Sequence, residues 1–151
     1  MWITRSETFG ADRDAGTVTV ALDTSALLAV AVDGPQRGVV LAALEGDGVW
    51  SASALALAEA LAAIDRLTDE DVLRADLEDA VRLTWDHLYV VPVDQRCLDR
   101  AAELVRAQPV GISPAIHLAA AERMPAPIRL VTFDPVQIAT ALGLGYDVVS
   151  T

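Results

Sequence analysis

Lysine is missing from this chain, and all eleven of its basic residues are arginine. A phosphate-cradling Walker A loop needs a lysine on the phosphates, so that class is excluded. Schiff-base and lysine-dependent phosphoryl chemistry fall with it. A single cysteine, Cys97, leaves no disulfide framework, thiolate zinc site or Cys-x-x-Cys redox pair. No apolar run reaches the ~18 uninterrupted residues of a membrane span, although mean hydropathy is +0.37. The first residues, Met1 to Glu7, contain no apolar stretch of the signal-peptide kind, and a soluble cytoplasmic protein is expected. Positive charge is scarce: 11 basic residues stand against 22 acidic ones, net −11. Such a domain is a poor non-specific ligand for nucleic acid, whose affinity comes from neutralising phosphates. Action on nucleic acid at one local site stays open, particularly where a divalent cation screens the carboxylates.

What is present is apolar mass. Hydrophobic residues make up 53% of 151 residues, enough for one domain with a real core. Residues 1–16 read as a loose polar tail and residues 17–151 as a single domain. Val18–Leu22, Val49–Ser51, Tyr89–Val93, Ile128–Phe133 and Tyr146–Val149 are short, β-branched and strand-like. Helical patterns lie between them: Ala26–Val32, Pro35–Glu45, Ser53–Leu67, and a segment opened by Asp69-Glu70-Asp71 with Leu73, Leu77, Ala80, Thr84 and Leu88 as its expected buried stripe. Asp94 is expected to cap the next helix, with Leu98, Ala101, Ala102 and Val105 inward. Ser113-Pro114 reads as an N-cap followed by proline at the first helical position, and Asp134-Pro135 repeats the pattern before a helix ending at Gly143. Strands separated by helices rather than hairpins pair in parallel. The expected fold is an α/β three-layer sandwich, a mostly parallel sheet of about five strands with helices on both faces.

In such sheets ligands sit at the carboxyl ends of the strands. Two strands run directly into an acid, at Asp23 and Asp134. Glu59 is the only charged residue between Val49 and Ile64, and a lone carboxylate on an apolar helix needs a partner or a cation. Three carboxylates with no lysine point to a divalent-metal site, since Mg²⁺ takes one or two carboxylates plus waters. Each residue also has a plainer reading: Asp23 and Asp134 as helix caps, Glu59 at a solvent boundary. His117 reads as a hydrogen-bonded core residue, Cys97 as core filler, Trp50 and Trp85 as packing residues.

The combination resembles a known family. Leu22-Asp23-Thr24-Ser25-Ala26-Leu27 looks like the opening motif of PIN-domain ribonucleases, particularly VapC-type toxins of bacterial toxin–antitoxin modules. Ser53 to Glu59 resembles their second motif, which ends in a glutamate on a helix. Ala115 to Ala121 resembles the helix that normally begins with the third acid, and Leu130 to Asp134 the strand that delivers the fourth. The similarity runs in order from Val18 to Val149. It departs at Pro114, where the family usually has an aspartate and proline offers no side-chain oxygen.

The resemblance implies metal-dependent endoribonuclease activity with Asp23, Glu59 and Asp134 as the catalytic set, Mg²⁺ or Mn²⁺ held by Asp23 and Asp134, and Ser25 as a polar helper. Glu59 would orient the attacking water or accept its proton. It also implies an antitoxin partner, an RNA substrate and a homodimer. The loss at Pro114 implies weakened activity or, as the alternative, an inactive domain that binds protein. Other classes fit worse. A haloacid-dehalogenase phosphatase needs an aspartate where Ser25 stands, and a lysine. A phosphoreceiver needs the same lysine. A metal-dependent adhesion site needs serine where Leu27 stands, and Gly143-x-Gly145 precedes no helix.

Overall fold

The computed structural model describes residues 17–46 and 48–151; the expected tail, residues 1–16, lies outside the described residues. Five strands form one sheet: β1 (Thr19–Leu22), β2 (Val49–Ser53), β3 (Tyr89–Val91), β4 (Ile128–Val131) and β5 (Asp147–Val149). The order is β3-β2-β1-β4-β5 and every pairing is parallel. Seven helices make the connections: α1 (Thr24–Ala29), α2 (Pro35–Leu44), α3 (Ala54–Leu67), α4 (Asp71–Trp85), α5 (Gln95–Ala107), α6 (Ile112–Glu122) and α7 (Pro135–Gly143).

Strand alternation divides the core between the two faces. On the central strand, Ala21 points with Leu130 and Val148 toward α5, α6 and α7. Val20 and Leu22 point the other way, with Val131 and Val149, against α1 and α2. A third cluster packs Leu27 and Ala52 against Ala56, Ala60 and Ile64 of α3 and Val81 of α4. Buried on both faces, the strands are nearly continuous in apolar residues, as a covered parallel sheet requires. Gly48 lets β2 come alongside β1: a Cβ there would stand 2.5 Å from the Val18 carbonyl oxygen.

The three-layer α/β sandwich is therefore as expected, but several helices sit differently. Helix α1 begins at Thr24, two residues early, because Asp23 caps it. Helix α6 begins at Ile112 with Gly111 as its N-cap, so Ser113 does not cap and Pro114 is the third helical residue. The missing proline N–H has little local cost there, since the first four N–H groups of a helix have no internal partner. In α4 the fully buried residue is Val81, flanked by half-buried Leu77, Trp85 and Leu88, while Leu73 is exposed. In α5 the buried row is Cys97, Ala101 and Leu104; Leu98, Ala102 and Val105 face outward. Helix α3 is not apolar all round in its setting either: Ala54, Ala58 and Ala62 are exposed.

Candidate active site

The carboxyl end of the sheet opens into a cleft of about 540 Å³. Asp23, Glu59 and Asp134 all line it, together with Thr24, Ser25, Ser113, Pro114 and His117. Asp23 leaves the end of central β1 and Asp134 follows β4 beside it. Glu59 comes from α3, the helix that follows β2 on the other flank. Three separate crossovers thus bring three acids to one hollow.

Asp23 is the deepest of them, 4% exposed. Its Oδ1 accepts hydrogen bonds from the Ser25 hydroxyl (2.7 Å) and the Ala26 N–H (2.9 Å), and its Oδ2 from the Thr132 hydroxyl (2.5 Å). The cap on α1 and the site residue are the same carboxylate. Burial pushes its carboxyl up from the usual range; the bonds from Thr132, Ser25 and Ala26 and the charge of His117 oppose this without cancelling it. The Ser25 hydroxyl, which the resemblance offers as a polar helper, donates to Asp23 and accepts from the Phe133 N–H at 3.0 Å. Thr132 in turn accepts from the Asp134 N–H at 3.1 Å. The β4–α7 corner is thereby tied to the Asp23 carboxylate through two hydroxyls.

Asp134 caps α7, accepting from the Val136 N–H at 3.0 Å. The cap of the plainer reading is observed, and the same residue lines the cleft.

Glu59 is about one-third exposed and is held by partners. Its Oε1 accepts from the Thr24 hydroxyl at 2.5 Å and lies 2.8 Å from His117 Nε2. Burial raises its carboxyl, but bonds from Thr24 and His117, the His117 charge and a bond from Ser113 outweigh that, and the group is held below the usual range. His117 is buried, with Nδ1 2.9 Å from the Ser53 hydroxyl. It is the hydrogen-bonded core residue expected, and it also braces a candidate catalytic acid. Gln137, fully buried, donates to the Pro114 carbonyl at 3.0 Å and steadies the start of α6.

Thr24, His117 and Arg66 line the cleft and Thr132 supports it from the buried core, placements that the sequence reading did not make. Helical spacing carried two of them: His117 stands three residues after Pro114, and Arg66 seven after Glu59. Thr132 had no comparable signal, because its role arises from pairing of β4 with β1.

Oxygen-only carboxylates suit a hard cation such as Mg²⁺ or Mn²⁺ held through one or two ligands and completed by water. That donor chemistry fits. Among the described residues, however, no three His, Cys, Asp or Glu side chains are grouped closely enough to enclose an ion. The three acids line one wall-to-wall cleft rather than a closed cage.

A parallel α/β sandwich with an acid-lined cleft at its strand ends defines the class. The sequence pattern of the PIN domain matches residues 20–143, and the chain belongs to the PIN domain family. No curated protein matches it. Among solved structures it is similar to a member of the VapBC toxin–antitoxin family, VapBC-5 from Mycobacterium tuberculosis: 20% identity, 88% of this chain and 98% of that one, TM-score 0.61. It is also similar to VapC20 of Mycobacterium tuberculosis, described as a sarcin-ricin-loop-cleaving toxin, at 19% identity over 80% of this chain and 93% of that one, TM-score 0.62. VapBC2 from Rickettsia felis, bound to promoter DNA, matches at 12% identity over 88% and 98%, TM-score 0.62. The fold is that of the VapC toxins.

Proposed function

We propose that this protein is a metal-dependent endoribonuclease, the toxin of a bacterial toxin–antitoxin module. One observation carries the reading: in a PIN-family chain, Asp23, Glu59 and Asp134 line a single cleft at the sheet's carboxyl edge. Asp23 and Asp134 would hold Mg²⁺ or Mn²⁺, which when bound acidifies a water and polarises the scissile phosphate. Glu59, held below the usual carboxylate range, is ionised at neutral pH and takes the proton of the attacking water. Thr24 and His117 fix its Oε1, so its orientation is set before substrate arrives. Ser25 and Thr132 hold the two oxygens of Asp23 in place.

A cytoplasmic location, a cognate antitoxin, an RNA substrate and a homodimer belong to the same proposal. No described helix is long and apolar enough to cross a membrane. A net charge of −11 suits a basic antitoxin electrostatically.

A second reading, an inactive domain that binds protein, is favoured by a specific observation. Pro114 brings no carboxylate to the cleft, and the three acids present are each engaged by the protein's own donors. Losing a supporting ligand of this kind typically reduces metal affinity or activity ~10–100-fold. The test compares wild type, Asp23→Asn and Pro114→Asp on structured RNA with Mg²⁺, Mn²⁺ or EDTA. Cleavage by wild type that EDTA and Asp23→Asn each abolish supports the nuclease. A silent wild type with an active Pro114→Asp supports the lapsed enzyme.

A further inference from the structure

Among the described residues, Arg66 is the sole cation, histidine aside, that lines an otherwise acidic cleft. It stands in the last turn of α3 and is exposed. Arg37, Arg74, Arg100 and Arg123 are all committed to carboxylates. Arg66 makes no ion pair or hydrogen bond among the described residues, although Glu59 lies on the same helix and the chain has twice as many acids as bases. Its guanidinium is left to solvent at the mouth of the cleft.

The spacing gives that position a meaning. Glu59, Ala62, Ala63 and Arg66 stand at i, i+3, i+4 and i+7, one face of α3, and all four line the cleft. The two alanines leave a low floor between the acid and the base. Seven residues of helix separate Glu59 from Arg66 by roughly 10 Å along the axis. A group bound at Arg66 is therefore not the one being attacked beside Glu59, but one further along an extended ligand.

We propose that Arg66 is the anchor for a non-scissile phosphate of single-stranded RNA, drawing the backbone over Ala62 and Ala63 into the cleft. This rests on the nuclease reading. A polyanion entering a pocket of three carboxylates meets repulsion, and one guanidinium lining that pocket, with a planar fork of donors matched to phosphate oxygens, offsets it where the strand enters. A backbone contact carries no base preference, so the anchor serves any sequence equally.

The probe is a fluorescein-labelled pool of random-sequence 20-nucleotide RNA, read by anisotropy in Mg²⁺ across a salt series and alongside cleavage. Wild type is compared with Arg66→Ala, Arg66→Lys and Arg82→Ala, the last removing an exposed arginine of α4 that does not line the cleft. Arg66→Ala is expected to weaken binding roughly three- to tenfold for the whole pool and to flatten the log–log salt slope by about 0.7, one phosphate contact on a single strand. Arg66→Lys keeps most of the slope. Unchanged binding and slope in Arg66→Ala overturn the anchor, as does an equal loss in Arg82→Ala. Loss of binding to an acidic poly-glutamate peptide with RNA binding intact overturns it in favour of a protein ligand. A wild type that neither binds nor cleaves RNA overturns both the anchor and the nuclease reading, whereas RNA cleavage indifferent to Arg66 removes the anchor alone.

Discussion

Asp23 is where the cleft costs the fold most. Its carboxyl is 4% exposed, burial pushes it up, and its three donors do not bring it back to the usual range. The sign of the pH dependence follows. An acid whose folded value is raised binds its proton more readily folded than unfolded, so it lowers stability as pH rises through the folded value, and this cost is absent below the unfolded value. Asp23→Asn is therefore expected to stabilise the protein at pH 7, by ~1 kcal/mol on the scale of single stabilising changes. The gain should fade as the pH is lowered toward 4, while any RNA cleavage is lost. Thermal melts across pH check it, and equal melting temperatures at pH 7 would count against the electrostatic account. Asparagine can be satisfied there: its oxygen takes the Ser25 and Ala26 donors, and its amide can donate to Thr132 Oγ1, whose own proton has Gln137 Oε1 at 3.2 Å. His117 tests the opposite balance. His117→Ala leaves the buried Ser53 hydroxyl without its His117 partner and removes one of the two partners of Glu59 Oε1, and is expected to destabilise by ~1–3 kcal/mol, measured by urea unfolding. Asp23 and Asp134 could be read from the sequence because each is the first charged residue after a strand. The partners of Glu59 could not, since they come from α1 and α6, far away along the chain.

At the scale of elements, the strands were legible and the helix faces were not. A short β-branched run bounded by turn or cap residues has one reading, and β1, β4 and β5 lie within a residue or two of where the pattern puts them. Helix α4 has two overlapping apolar rows, one through Leu73 and Ala80 and the other through Val81, Trp85 and Leu88. Periodicity alone does not choose between them. Packing does: α4 rests on α3 and α1 along a narrow line, with Val81 at its centre and Arg74 reaching across to Asp65. In α5 the choice falls to the small residues, because Ala-rich α6 comes close and Cys97 and Ala101 fit against it; Cys97 Sγ lies 3.9 Å from the Ile116 carbonyl. Urea unfolding of two variants checks the α4 assignment. Val81→Ala should cost ~2 kcal/mol as a buried truncation, and Leu73→Ala should stay within about 0.5 kcal/mol as a surface change. The reverse order would restore the row through Leu73.

For the whole molecule, the strand order could not be read from local pattern because it depends on which distant strands pair. It determines that Asp23 hangs from the middle of the sheet with the other acids on either flank. Three carboxylates in one cleft of a chain carrying −11 make cation binding a stability matter as well as a catalytic one. A ligand that binds only the folded state stabilises by about 2.7 kcal/mol at a hundred times its dissociation constant. MgCl₂ is expected to raise the melting temperature of wild type above that in NaCl of equal ionic strength, and Asp23→Asn should lose the difference. A wild type indifferent to Mg²⁺ would remove Asp23 and Asp134 as a cation site. The central place of β1 has one more consequence. Thr19, Ala21 and their neighbours are paired on both sides, to β2 and to β4, whereas among the described residues β3 and β5 each have a strand on one side alone. Amide protons of β1 should be among the slowest to exchange with deuterium, surrendered only in global opening. Outer strands can fray and re-form around a floor that never lets go of its acid.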